Sequence, residues 1–172
     1  MEAEELAEVA HEAHRCEERR IGMTMAVFAA LLALSTMLGH RAHTEEVVLQ
    51  TQLADDWAFY QAKTNRWHMY EADAQLAALS GGGGITLATT FMARGEKEKK
   101  DAEDARRTAE RRQDETRAAA RRATFFDAAE IFLEVAIVLC SIALLAGASV
   151  FWRVSFVSAL VGLAIGVVAA VG

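Results

Sequence analysis

The sequence predicts an all-α integral membrane protein with three transmembrane helices and a long antiparallel, coiled-coil-like helical hairpin between the first and second spans. The chain has no proline among its 172 residues, and proline is the residue that most strongly interrupts helices. Its hydrophobic residues (53%) and charged residues (24%) fall into separate, alternating blocks. Three of these blocks are apolar runs long enough to cross a hydrocarbon layer of ~30 Å as helices.

The first element is an acidic segment at residues 1–20, expected to be an amphipathic helix with Leu6, Ala10 and Ala13 on one side. Residues 21–39 follow as transmembrane helix 1, because no charged residue interrupts them. This run is too long, and its leader too acidic, for a cleaved signal peptide. We therefore interpret it as a retained membrane anchor.

Residues 40–124 form the predicted extramembrane hairpin, with its tip at the four glycines 81–84. Glycine accepts backbone angles that suit a chain reversal, and the two arms beside this tip are nearly equal in length. Thr44-Glu45-Glu46 and Gly95-Glu96 are expected as local interruptions of the arms. One stripe at helical spacing on each arm predicts where the arms meet. The first arm carries an apolar stripe, formed by Leu49, Leu53, Trp57, Tyr60, Trp67 and Ala74. The second arm carries a heptad seam of mostly small residues, formed by Ala102, Ala105, Ala109, Thr116, Ala119, Ala123 and Phe126.

Two further spans close the chain, at residues 125–152 and 154–172. Arginine is costly at a bilayer centre and tryptophan favours the interface, so a tight turn is expected at Trp152-Arg153. The arginines give conflicting signals for the orientation of the chain in the membrane. Arg15, Arg19 and Arg20 outnumber Arg41 across the first span, whereas five arginines precede the second. Because loops beyond ~60 residues follow the positive-inside rule poorly, we predict a cytoplasmic N-terminus with the hairpin on the opposite side.

The third span carries a ridge of small residues at i+4 steps: Ser158, Gly162, Gly166 and Ala170. In lipid, helices associate by close packing, and small residues let two backbones approach each other. The ridge is therefore a predicted helix-packing surface. It fits two arrangements, packing against the chain's own second span or an interface between subunits.

An acidic face marks the start of the second span, where Asp127, Glu130 and Glu134 stand at i, i+3 and i+7. Glu134 lies inside the apolar run, where a carboxylate is expected to be protonated or paired, with Arg122 as one partner. Two interpretations remain open. The three acids form an ion or proton site within the membrane, or Glu134 is a carboxylate that reaches the interface.

Other classes of function are not expected. No block has the positive excess that binding to nucleic acid requires, and the net charge is −6. The pair His11 and His14 lacks the spacing of a zinc motif, so neither a metal nor a cofactor is predicted. No serine, cysteine or histidine arrangement resembles a nucleophilic site, so we do not expect an enzyme.

The segment that follows the first span, QLADDWAFYQAK, carries a motif formed by Gln52, Asp55, Trp57, Tyr60, Gln61 and Lys63. Together with the segment IFLEVAIVLCSIA from residue 131, it resembles the bacterial membrane proteins of domain-of-unknown-function family 4337. The resemblance covers roughly residues 20–170. It implies the order of the spans, the charged insert and a bacterial inner membrane, which makes the hairpin periplasmic. The family has no established activity.

These features predict a structural or interaction protein of the membrane, either a homo-oligomer or an accessory subunit of a larger complex. On this interpretation the motif residues pack the hairpin arms together, although a ligand groove is the alternative. A small oligomeric ion or proton channel that uses Glu130 and Glu134 is the second hypothesis. The expected partners are the lipid bilayer and other copies of the chain or a membrane complex.

Overall fold

The structure, a computed structural model, describes residues 2–171, with the side chains of Arg15 and residues 17–171. Within that range the chain is all-helical, as predicted, and the two longer helices pack against each other. The helices are α1 (Glu2–Leu79), α2 (Gly84–Ala146) and α3 (Ser149–Val171). Each contains a segment long and apolar enough to cross a membrane, judged by length and composition.

The described chain forms two compact units. The span unit combines Met1–Thr44 with Ala120–Gly172, and the hairpin unit is Glu45–Ala119. Helix α1 begins at Glu2, so the acidic leader is helical in its backbone. The expected apolar face of Leu6, Ala10 and Ala13, and the side chains of His11 and His14, lie outside the described residues.

The reversal between α1 and α2 falls at the predicted glycines. Gly81 and Gly82 have φ angles of 68° and 56°, in the left-handed region that favours glycine. The backbone N–H of Gly84 donates to the carbonyl of Gly81 at 2.9 Å and closes the turn. A Cβ on Gly84 would lie 2.2 Å from the carbonyl oxygen of Ala77, so the first residue of α2 also needs to be glycine.

The two expected interruptions of the arms are absent, because α1 and α2 run unbroken through both positions. Thr44 is accommodated because its hydroxyl donates to the carbonyl of His40, one turn earlier in the helix, at 2.8 Å. Gly95 lies where the arms approach closely, and a Cβ there would be 3.4 Å from the Cβ of Tyr70. This close packing outweighs the low helix propensity of glycine.

The turn between α2 and α3 differs from the expected position at Trp152-Arg153. Helix α2 ends at Ala146 and α3 begins at Ser149, with Gly147 at a φ angle of 62°. A glycine in this conformation just after the last helical residue is a common helix stop. Trp152 lies inside α3, and its indole N–H donates to the hydroxyl of Thr24 at 3.4 Å.

Small side chains form the interior of both units. In the hairpin unit the seam residues of α2 that were predicted to face the first arm are buried: Ala102, Ala105, Ala109, Thr116 and Ala119. In the span unit the buried cluster joins larger residues of α1 and α2 to small ones: Ile21, Phe28, Leu133, Ala136, Cys140, Ala143 and Ala159. Small side chains allow the helix backbones to approach closely, as they do in membrane helix bundles.

The outer surface of the span unit is apolar. Large hydrophobic side chains of all three helices are exposed there, among them Val27 (57%), Val138 (57%) and Val168 (58%). A water-soluble domain rarely exposes contiguous apolar surface of this extent. The surface is therefore compatible with contact with lipid or with other apolar helices.

Candidate functional site

The sequence motif of the first arm is placed at the contact between α1 and α2 in the hairpin unit. Arg112 of α2 donates through Nη1 to Gln52 Oε1 at 2.6 Å and through Nε to Asp56 Oδ2 at 2.5 Å. The side chains of Arg112 and Asp56 are each 26% exposed. A planar guanidinium held by two acceptors fixes both distance and orientation, so this contact fits one register of the arms.

Lys63 makes the second polar contact between the arms. Its Nζ lies 2.8 Å from Asp101 Oδ2 and 3.0 Å from Glu98 Oε2, and the side chains of Lys63 and Glu98 are each 15% exposed. Hydrogen bonding to Asp101 and Glu98 raises the pKa of Lys63 above its ordinary 10.5. The same hydrogen bond from Lys63 lowers the pKa of Asp101 below its ordinary 3.8. Both shifts favour the charged forms that hold the arms together.

The other motif residues divide between the arm contact and the surface. Trp57 and Tyr60 are partly buried and pack edge to face, with ring centroids 5.6 Å apart. Asp55 and Gln61 are exposed. The residues that sequence reasoning missed are the partners Arg112, Glu98 and Asp101, along with the role of Asp56. They lie in a charged stretch of α2 that resembled a uniformly solvated helix.

A surface cavity of about 390 Å³ lies beside the Lys63–Asp101 contact and is lined in part by Asp56, Phe59, Lys63 and Asp101. It is the place where a ligand groove formed by motif residues would be found. However, the charged groups Lys63, Asp101 and Asp56 are already paired across the arms. The cavity therefore offers a ligand few charges that are not engaged in helix packing.

The acidic face at the start of the second apolar segment is divided by its contacts with α1. Asp127 Oδ1 lies 2.9 Å from His43 Nε2. Thr36 donates through its hydroxyl to Glu130 Oε1 at 2.8 Å. Glu134 is exposed, and the described residues give it no hydrogen bond or ion pair. The three acids are therefore not one shared site, because two face α1 and the third faces outwards.

The position of the α2–α3 turn places Glu134 deeper than the sequence suggested. Thirteen residues of helix separate Glu134 from Gly147, a distance of about 20 Å at 1.5 Å per residue. In a hydrocarbon layer of ~30 Å, Glu134 is therefore closer to the middle of the segment than to its start. Arg122 is twelve residues away on the same helix, about 18 Å, so the expected pairing of Glu134 with Arg122 is wrong.

Three residues of the small-residue ridge on α3 contact α2. Ser158 donates to the carbonyl of Phe132 at 2.7 Å. A Cβ on Gly162 would lie 2.9 Å from the carbonyl oxygen of Ala129, and one on Gly166 would lie 3.6 Å from the Cβ of Ala129. Ala170 is exposed. The ridge thus packs α3 against α2 within the chain.

A groove of about 230 Å³ opens between α1 and α3 on the other side of the ridge. Its walls are Leu31, Leu38, Gly166 and Val167, and Leu133 of α2 lies at its base. Ser35 also lines the groove and is only 9% exposed. The Ser35 hydroxyl oxygen is buried without a hydrogen-bond partner among the described residues.

Comparison with known proteins shows the family of the chain. The family model described as "Domain of unknown function (DUF4337)" matches residues 17–172. The chain belongs to this family. The match covers α2 and α3 completely and α1 from residue 17, so the hairpin unit and most of the span unit are parts of the DUF4337 domain. No curated protein and no solved structure matches the chain significantly.

Substituting Gly162 with alanine should destabilise the protein by about 1–3 kcal/mol, the usual cost of inserting an extra methyl group into a packed contact. The reason is that the new Cβ meets a backbone carbonyl of α2, which cannot move aside as a side chain can. The measurement is the thermal unfolding midpoint in detergent. Gly22→Ala is the control, because nothing lies within 4 Å of a Cβ at Gly22. Equal midpoints for the two variants would contradict this account of the ridge.

The pairing of Lys63 should stabilise the hairpin over a defined pH range. Because the pKa of Asp101 is lowered, its contribution is full above 3.8 and is lost as the pH falls further. Because the pKa of Lys63 is raised, its contribution is full below 10.5 and is lost as the pH rises further. Lys63→Met should therefore lower the unfolding midpoint, measured by circular dichroism, at neutral pH and much less at either extreme. Arg66→Met is the control, because Arg66 is exposed and has no ion pair in the described chain. A deficit independent of pH would contradict the assignment.

Proposed function

We propose that this DUF4337 protein is a structural or interaction protein of the bacterial inner membrane. It would act as a homo-oligomer or as an accessory subunit that displays the helical hairpin outside the bilayer. The observation that carries the proposal is the use of the family-like motif. The motif residues Gln52 and Lys63, together with the neighbouring Asp56, hold the two arms together through Arg112, Glu98 and Asp101, so part of the motif serves to build the hairpin.

Insertion into a bilayer is supported by the surface of the span unit. Its interior is made largely of small side chains, while its large aliphatic side chains point outwards. This distribution is the reverse of that in a water-soluble domain, and lipid is the solvent that favours it. The exposed aliphatic surface also gives neighbouring subunits an area on which to pack.

The orientation with the N-terminus in the cytoplasm is supported by a contact within the span unit. The guanidinium carbon of Arg20 lies 5.5 Å from the centroid of the Trp152 ring, which brings the arginines before the first span to the same end as Arg153. Arg15, Arg19, Arg20 and Arg153 then share one side, and the positive-inside rule favours the cytoplasm for that side. The hairpin, at the opposite end of the first span, would be periplasmic.

The proposal predicts that the full chain, purified in mild detergent, behaves as a complex. Native mass spectrometry should give the mass of two or more copies of the 18.7 kDa chain, or the mass of a stoichiometric complex with a foreign membrane protein. Lys63→Met at neutral pH should reduce recovery of that complex if the built hairpin is the interaction element, whereas Arg66→Met should not. A monomer without partners, or a particle soluble without detergent, would overturn the proposal.

A second candidate function is a small ion or proton channel, and one observation favours it. Polar side chains continue from the end of the apolar segment into it, since His43 contacts Asp127 and Thr36 contacts Glu130 one level deeper. Glu134 lies a further turn inside. Such a series could pass a proton or cation between successive groups if several copies surround a common axis.

The channel hypothesis predicts proton or cation flux in liposomes that contain the full chain. Glu130→Gln should reduce the flux more than Glu110→Gln, because Glu110 lies in the hairpin unit and Glu130 lies within the apolar segment. The measurement is the decay of an imposed pH gradient, followed with an entrapped dye. Absence of flux from the wild-type protein ends the channel hypothesis.

A further inference from the structure

Within the apolar segments of the span unit, a hydroxyl and a carboxyl lack partners among the described residues. The first is the Ser35 hydroxyl, which is buried at the wall of the groove between α1 and α3. The second is the Glu134 carboxyl, which projects from the exposed side of α2. In a hydrocarbon layer neither group can bond to water, and an unsatisfied polar group there is strongly disfavoured. A partner outside the protomer would satisfy both groups.

The two groups lie at nearly the same level of the span unit. The hydrogen bond from Thr36 to Glu130 places these two residues side by side on antiparallel helices. Glu134 is four residues further along α2, while Ser35 is one residue before Thr36. The levels of Ser35 and Glu134 therefore differ by about three residues of helix rise, or roughly 4.5 Å. A serine or glutamate side chain can span such an offset.

The surroundings of the two groups are complementary. Glu134 belongs to an exposed stripe on α2, which we call the outer stripe, and its other members are all aliphatic: Ile131, Val138, Ile142 and Leu145. Ser35 lies in a groove whose α3 wall includes Gly162 and Gly166. The outer stripe is a ridge with one carboxyl, and the groove is a depression with one hydroxyl.

The groove and the outer stripe are on different faces of the same protomer, since the groove lies between α1 and α3 whereas the outer stripe is exposed on α2 and contributes no residue to the groove. A protomer that offers its outer stripe to the groove of a neighbour keeps its own groove available to another copy. Such an interface is heterologous, and heterologous interfaces close into rings when the rotation permits. Copies inserted in the same orientation also bring Ser35 and Glu134 to matching depths automatically.

We propose that the groove between α1 and α3 is the docking site for the outer stripe of a second copy of this chain. In the assembled state the Ser35 hydroxyl of one protomer donates a hydrogen bond to the Glu134 carboxyl of its neighbour. Rotation about χ1 gives the serine hydroxyl the freedom to turn towards the incoming carboxyl. This inference rests on the proposed function and specifies its homo-oligomeric form.

Cysteine cross-linking between two differently tagged, co-expressed copies tests the interface. One copy carries Ser35→Cys and the other Glu134→Cys, both with Cys16→Ser, and the membranes are oxidised before purification. A disulfide-linked pair that carries both tags is expected. Leu145→Cys in place of Glu134→Cys is the matched control, because Leu145 lies on the same stripe but about 16 Å further along α2. That pair should not cross-link.

The outcomes separate this inference from the proposed function. Cross-linking of Glu134→Cys to itself would show a symmetric contact and overturn the groove assignment. Absence of the Ser35–Glu134 cross-link in a chain that native mass spectrometry finds oligomeric would overturn the inference alone. A native complex in which one copy of this chain binds a foreign subunit would also overturn the inference alone. A wild-type monomer without partners would remove the proposed function as well.

A thermodynamic cycle gives a second test in case the cysteine variants assemble poorly. Ser35→Ala and Glu134→Ala should each raise the dissociation constant of the oligomer in detergent by about three- to thirty-fold, the range for one interhelical hydrogen bond. The dissociation constant of the double variant should be no higher than that of the single variant with the higher constant, because both changes remove the same hydrogen bond. Ser141→Ala is the control, since the Ser141 hydroxyl bonds to its own helix at Ile137. Fully additive losses would overturn the proposed bond.

Discussion

The glycine reversal at the tip sets which residue of α2 lies beside each residue of α1, and the polar contacts described above follow from that register. Gly81 and Gly82 supply the positive φ angles of the turn. In the hairpin unit, Lys63 and Asp101 lie at nearly equal distances along the chain from this tip, as do Asp56 and Arg112. One turn thus determines both polar contacts of the hairpin unit.

The two units distribute polar and apolar side chains differently, although α1 and α2 contribute to both. In the hairpin unit, charges stay paired or solvated, and partly buried Lys63 pairs with both Glu98 and Asp101 between the arms. In the span unit, many buried side chains are small, and many large apolar side chains are exposed. An acidic residue near the centre of a membrane helix costs about 2.5–3.5 kcal/mol on insertion scales. In the bilayer proposed for the span unit, the exposed Glu134 is therefore not explained by the packing of a single protomer.

Much of the fold was predictable because its signals are periodic and local. The lack of proline, the apolar runs, the glycine tip and the alanine seam each predict helices or their reversal without knowledge of distant residues. The interfacial preference of tryptophan predicts the α2–α3 turn at Trp152-Arg153, but the chain turns at Gly147, whose positive φ angle stops the helix. The partners Arg112, His43 and Thr36 were missed because pairing across the hairpin requires the register to within a residue. The unpartnered state of Ser35 depends on three helices at once, which no local pattern encodes.

The equal arms have a consequence for how chains of this family can change length. Removing residues from one arm alone would slide every later pair out of alignment and rotate the seam away from its partner. Removing the same number from both arms, in whole heptads, would shorten the hairpin while leaving the surviving contacts matched. Natural variation in the reach of the hairpin is therefore expected to be symmetric about the glycine tip, so that insertions on one side are accompanied by insertions on the other.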